Sequence, residues 1–163
     1  MPDLSLLVGL ANLWSLDIKL GGTKNLTLLP HLKSLKYLEL WMIKGLEDVS
    51  TIASLESLQS LFLQALRRVV SMPPLDASSN LRRVVIETMK GLTDLRPFAM
   101  APSLREFAAW DMGHLQPEAF RPFVGHPTLE YLSAGLGSRK KNDAVVAMFP
   151  GLEHGQMAPF QFI

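Results

Sequence analysis

The stretch LKYLELW, Leu35–Trp41, alternates leucine with other residue types over its last five positions. Side chains along an extended segment point to opposite faces in turn. Leu38 and Leu40 therefore share one face, and Tyr37, Glu39 and Trp41 share the other. The leucine face reads as core. The opposite face carries a tyrosine and a tryptophan, more apolar surface than a side turned only to water needs.

The same pattern returns along the chain. LWSLDIK begins at Leu13, LQSLFLQ at Leu58, LRRVVIE at Leu81, LREFAAW at Leu104 and LEYLSAG at Leu129. With Leu35 included, successive starts lie 22, 23, 23, 23 and 25 residues apart. Each segment has the form LxxLxL, with Val84, Ile86, Phe107, Ala109 and Ala134 as substitutions. A second block follows in the same phase: GLEDVSTIASLESL from Gly45, GLTDLRPFAMAPSL from Gly91, and a looser GHLQPEAFRPFVGHPTL from Gly113. Two independent blocks recurring in fixed phase indicate a repeat architecture. One such unit cannot bury its own apolar face, so neighbours must stack to make a continuous core. The strand leucines then build a parallel sheet, one strand per turn, with the returning segments covering its back.

This pattern resembles the leucine-rich repeat family, from Asp3 to about Leu152. The segment Gly45–Leu58 is most similar to the short bacterial and cytosolic class of repeat, with little helix on its outer face. The resemblance implies an α/β fold: a right-handed solenoid, or horseshoe, with a parallel β-sheet on its concave face and mostly irregular or short helical convex segments. Residues 1–163 are expected to form a single leucine-rich repeat domain of about six repeats. The sequence departs from the family at one place. An asparagine or cysteine usually stands three residues after the last strand leucine, and here those positions hold Gly21, Ile43, Leu66, Met89 and Met112. Apolar side chains are expected to fill these turns instead.

Pro73–Pro74 and Pro102 suit irregular outer connections, because proline lacks the donor that a central ladder needs. Two outer segments read as helical. One is Pro117 to Gly125, with Pro117 at a first helical position and Gly125 as a C-cap. The other is Asn142–Phe149, before Pro150.

The register defines the concave surface. One column runs Ser15, Tyr37, Ser60, Arg83, Glu106 and Tyr131. The next runs Asp17, Glu39, Phe62, Val85, Ala108 and Ser133, and a third Lys19, Trp41, Gln64, Glu87, Trp110 and Gly135. Neighbouring strands lie about 4.8 Å apart, so the columns form one continuous surface. Tyr37, Trp41 and Phe62 cluster on it, and Val85, Ala108 and Trp110 extend an apolar path. Cross-strand pairing of aromatic and β-branched residues is one explanation for this content. The other is a partner-binding patch rimmed by Glu39, Arg83, Glu87 and Glu106, since interface anchors are rich in Trp, Tyr and Arg. Leucine-rich repeat proteins mostly bind through this face, so the resemblance favours the second. The candidate binding residues are Tyr37, Glu39, Trp41, Phe62, Gln64, Arg83, Val85, Glu87, Glu106, Trp110 and Tyr131.

Catalytic and metal-binding patterns are not evident in the sequence. His31, His114, His126 and His154 fall on outer turns at different repeat phases and match no metal-ligand spacing. The chain has no GxSxG elbow, no P-loop and no GxGxxG. Gly21–Gly22, Gly135 and Gly137 read as turn glycines, and Asp48 and Asp94, at one repeat phase, as turn hydrogen-bonding residues. No cofactor or metal is expected, and the chain reads as non-enzymatic.

Formal net charge is +1, so no global field draws in nucleic acid or a membrane surface. Arg67–Arg68, Arg82–Arg83 and Arg139–Lys141 sit at different points of their repeats rather than on one basic face. Lys36, Arg82 and Arg105 do share a column just before the strands, where a small acidic contact would fit. The chain has no cysteine, which fits a reducing compartment. Its first residues, MPDLSLLVGLANLW, lack a basic leader region, and no apolar run approaches the ~20 residues of a membrane span. A cytoplasmic location is the expectation.

Aligning Asp3 with Asp48 and Asp94 places Leu7, Leu10 and Leu13 over Ile52, Leu55 and Leu58. The chain thus opens in the back half of a repeat, without the polar cap a solenoid end needs. It reads either as a fragment of a longer protein, the favoured alternative, or as one whose first half-repeat is a minimal cap. The segment GQMAPFQFI, residues 155–163, is apolar and leaves the repeat, as a closing strand or as a stub. The resulting functional expectation is a non-catalytic module that binds an unidentified protein partner through its concave face. A substrate-recognition arm of a larger enzyme or effector is the alternative, and self-association through the uncapped N-terminal end is a further one.

Overall fold

In the computed structural model, which describes residues 4–23 and 25–163, every LxxLxL segment contributes one strand. These are β1 (Ser15–Lys19), β2 (Tyr37–Trp41), β3 (Ser60–Gln64), β4 (Arg83–Glu87), β5 (Glu106–Trp110) and β6 (Tyr131–Ala134). They form one open sheet in chain order, and all neighbouring pairs are parallel. Ser15 pairs with Tyr37, Tyr37 with Ser60, Ser60 with Arg83, Arg83 with Glu106, and Glu106 with Tyr131, as the leucine alignment requires. A slip of one residue would turn the leucines outward, so burial of one face fixes this register.

The inward positions Leu38, Leu40, Leu61, Leu63, Val84, Ile86, Phe107, Ala109 and Leu132 have no exposed surface. Outer-segment residues close the core from behind, Leu46, Val49 and Ile52 in one repeat and Leu92, Leu95 and Phe98 in another. On β1, which among the described residues pairs with β2 alone, Leu16 and Ile18 are only partly buried. Near β5 the core is built from aromatic rings. Phe107 stacks on Phe123 at 4.3 Å between ring centroids, with Phe98 at 5.6 Å and Phe120 at 6.3 Å.

After each of the first five strands the backbone bends through a left-handed residue: Leu20, Met42, Ala65, Thr88 and Asp111, with φ between 48° and 55°. The amides of Leu20, Met42, Ala65 and Thr88 donate to the last carbonyl of the following strand, so the ladder continues into the bend. Beyond the bend, Ile43, Leu66, Met89 and Met112 turn inward and are buried, in the positions where asparagine is usual. The turns are filled by apolar packing, and the Met89 amide donates to the Met112 sulfur at 3.3 Å.

The outer side carries short 3₁₀ turns at Leu29–His31 and Ser50–Ser54 and a single α-turn, α1 (Arg96–Ala99). Asp48 accepts the Ser50 amide at 2.8 Å and Asp94 the Arg96 amide at 3.0 Å, as their shared phase suggested. Asn25 accepts the Thr27 amide at 3.0 Å in the same phase, an equivalence hidden in sequence by the change from Asp to Asn. Asp3 lies outside the described residues.

Two outer segments are helical, and the bounds of the second differ from the reading of the sequence. The Pro117 segment is helical as a 3₁₀ helix, Pro117–Phe123, and Pro122 inside it removes a backbone donor. Its end is nonetheless marked by Gly125, at φ 77°. The second helix, α2 (Arg139–Met148), starts three residues before Asn142. Asn142 is held inside it, its amide donating to the Ser138 carbonyl and its side chain accepting the Leu136 amide.

Residues 155–163 form no closing strand. Glu153 makes an isolated parallel bridge to Tyr131 at the edge of β6, and the chain then turns back over the concave face.

Candidate functional site

The concave face has an apolar floor. Val85, Ala108 and Tyr131 form a buried cluster there, separate from the main core, against which Phe62, Trp110 and Met157 pack. Parallel pairing sets this row, because Phe62, Val85 and Ala108 are direct neighbours on β3, β4 and β5. A groove of about 450 Å³ lies above the floor, between the sheet and residues 155–163. Tyr37, Phe62, Arg83, Val85 and Trp110 line it, together with Trp14 and Ser60, which sequence reasoning had not selected.

The other candidates fall outside that lining. Glu39 is only 8% exposed and sits in a polar network. It accepts the Tyr37 hydroxyl at 2.8 Å and pairs with Lys19 at 3.0 Å, while Lys19 also approaches Asp17 at 3.5 Å. Burial pushes the Tyr37 phenol up, and its bond to the Glu39 carboxylate adds to this. The hydrogen bond to Glu39 likewise holds the Lys19 ammonium above its ordinary value. Glu39 is thus committed to neighbours on its own sheet. Trp41, half-buried, has the Lys19 ammonium 6.0 Å from its ring centroid, and Gln64 and Glu87 are half-buried at the ends of their strands. Glu106 is bound to the Arg83 guanidinium, and the Trp110 indole N–H donates to the Ser133 hydroxyl at 3.2 Å.

Residues 155–163 cross the face from β6 toward β1. The Tyr131 hydroxyl donates to the Gly155 carbonyl at 2.8 Å and Arg83 to the Ala158 carbonyl at 2.7 Å. Arg82 donates to the Gln161 carbonyl at 2.8 Å. Lys36 at 2.8 Å and the Gln59 side-chain amide at 2.6 Å both donate to the Ile163 main-chain oxygen. Phe160 lies under the Arg82 and Arg83 guanidinium groups at 4.9 and 5.0 Å, a cation–π arrangement. Phe162 packs edge-on against Trp14 at 5.2 Å and Tyr37 at 6.4 Å. In the column ahead of the strands, Lys36 and Arg82 meet main-chain oxygens of residues 155–163, and Arg105 approaches Glu130 at 3.6 Å.

Three of the four histidines are spent on backbone. His114 reaches the Leu92 carbonyl at 2.8 Å and His126 the Ala101 carbonyl at 3.1 Å. His154 lies 2.8 Å from the Leu132 carbonyl and 3.0 Å from that of Phe149. Each bridges two turns of the coil or closes one, a role that scattered phases in the sequence do not reveal. Among the described residues no three His, Cys, Asp or Glu side chains are grouped as metal ligands would be, and no helix is long and apolar enough to cross a membrane.

No protein-family model matches the chain, and no curated protein matches it. Among solved structures it is similar to internalin C2 of Listeria monocytogenes, with 22% identity and a TM-score of 0.57. That alignment covers 81% of this chain and 56% of the internalin, so the chain spans little more than half the length of that relative. A second internalin from the same organism aligns at 14% identity with a TM-score of 0.35, over 78% of this chain and 49% of that one. The six-stranded parallel sheet, its repeat register and the internalin likeness agree: the chain has the leucine-rich repeat fold.

Proposed function

We propose that the protein is a non-catalytic interaction module that holds a protein partner across its concave face. The observation that carries this reading is the apolar floor from Phe62 to Tyr131, set apart from the core and flanked by side-chain donors. Sheet packing alone does not call for a second buried apolar cluster on the side away from the core. Interface anchors, by contrast, are aromatic and arginine side chains with a polar rim.

The test places a photoreactive side chain at Gln64, on the concave side, or at Met100, exposed on the outer side. Crosslinking in an extract of the source cells should yield an adduct from Gln64 alone, and Trp110→Ala should remove it. The same adducts from both positions would overturn the reading.

A second reading is favoured by the N-terminal end. Leu6, Leu10 and Leu20 are 77%, 48% and 66% exposed, and among the described residues no strand pairs with the outer edge of β1. Such an edge pairs readily with another chain. Sedimentation equilibrium tests it: a mass that rises with concentration, and falls back in Leu6→Ser/Leu20→Ser, supports association through this end. A monomer at all concentrations removes it.

A further inference from the structure

The groove has an occupant, and its chemistry is on the page. The main chain of residues 155–163 runs from Tyr131 on β6 to Lys36 and Gln59, just ahead of β2 and β3, and the Phe162 ring carries the contact on to Trp14, ahead of β1. Its hold has two parts. Side chains of Tyr131, Arg83, Arg82, Gln59 and Lys36 donate to its main-chain oxygens, which any peptide would offer. Phe160 and Phe162, two positions apart, supply the side-chain contacts, one beneath the paired guanidiniums and one against Trp14. Main-chain capture with pockets for alternate side chains is how extended peptides are recognised on other proteins.

The fit is incomplete. Arg82 Nε is buried without a hydrogen-bond partner, the groove beside the segment stays open, and Phe162 is 38% exposed. A permanent element of the fold would be expected to satisfy the buried donor and close the space. We infer that the concave face is a seat for an extended peptide carrying two aromatic residues two positions apart, and that residues 155–163 are an intramolecular occupant which such a peptide displaces. This rests on the reading of the concave face as the binding surface.

The probe is a fluorescein-labelled peptide GQMAPFQFI, followed by anisotropy against two full-length chains, unmodified and Phe160→Ala/Phe162→Ala. A short tether holds a segment at a local concentration on the order of 1 mM. A seat open a tenth of the time lowers the apparent affinity of a free peptide about tenfold. The double variant should therefore bind the probe at least about tenfold more tightly than the unmodified chain, and a probe with both phenylalanines changed to alanine should bind neither. Equal binding by both chains, or no binding by a double variant whose circular dichroism matches the unmodified chain, overturns the inference.

Should the double variant not fold, a nitroxide on Gln161→Cys, in a chain with no other cysteine, gives a second measurement. It should broaden amide signals of β1 to β3, and millimolar unlabelled peptide should relieve the broadening. Broadening that persists under saturating peptide overturns the inference. Probe binding with no concave-face crosslink to a cellular partner would defeat the functional proposal and leave this one standing; the reverse result would do the opposite.

Discussion

Phe107 on β5 and Phe62 on β3 belong to one sheet but face opposite ways, and truncating each to alanine separates core from surface. Phe107 has no exposed surface and touches Phe98, Phe120 and Phe123, with its closest ring 4.3 Å away. Removing a buried phenylalanine ring costs about 3–5 kcal/mol in lost transfer energy and cavity formation. Close packing of four rings leaves little room for collapse, which places Phe107→Ala toward the upper end of that range. Phe62 is half-buried on the concave floor, and its cross-strand neighbours are Glu39 and Val85. Such a contact contributes up to about 1 kcal/mol. Urea unfolding followed by circular dichroism measures both. With a slope of about 2 kcal/mol per molar urea, Phe107→Ala should lower the midpoint by roughly 2 M and Phe62→Ala by about 0.5 M or less. Equal losses, or a larger loss for Phe62→Ala, would show that the assignment of faces is wrong. Domains are stable by only about 5–15 kcal/mol, so Phe107→Leu serves where the alanine variant does not fold.

Three further outcomes follow from local geometry. Ala65 holds φ at 53°, where a Cβ is strained, so Ala65→Gly should raise the urea midpoint, with a net gain of about 0.5 kcal/mol after the entropy cost of glycine. A Cβ at Gly91 would lie 3.0 Å from the Val69 carbonyl oxygen and 3.3 Å from that of Arg67, both backbone, so Gly91→Ala should cost about 1–3 kcal/mol by the same measurement. The Ser50 hydroxyl and amide hold the Asp48 carboxyl below its ordinary range, and the Arg96 guanidinium does the same for Asp94. A carboxyl lowered in the folded state adds stability above its unfolded pKa, near 3.9, and that stability is lost as pH falls through the folded value. The midpoint should therefore drop more steeply from about pH 5 to pH 3 in the unmodified chain than in Asp48→Asn/Asp94→Asn.

The repeat was legible because its cause is local. Each leucine in LxxLxL is placed by a period of two, and fixed spacing between segments turns that into a register. The columns on the concave face came with it, including the adjacency of Phe62, Val85 and Ala108. What stayed hidden depends on contacts between distant parts of the chain. Gln59 meets Ile163 across 104 residues, and Phe162 meets Trp14 across most of the molecule; no periodicity points to either. Glu39 looked like a rim charge because its partner, Lys19, belongs to a different repeat. Trp41 and Trp110 share a column but not an environment, since only Trp110 lines the groove. One signal for the strap was present: an apolar segment outside the repeat, with aromatics at alternate positions 160 and 162.

The central claim is that the concave face seats an extended segment of chain. A nuclear Overhauser spectrum of the unmodified protein tests it without any substitution. Cross-peaks from the Phe162 ring to the Trp14 and Tyr37 rings, and from the Met157 methyl group to Tyr131 and Val85, are the predicted result. Sequential contacts alone from residues 155–163, with shifts typical of unstructured peptide, would contradict it.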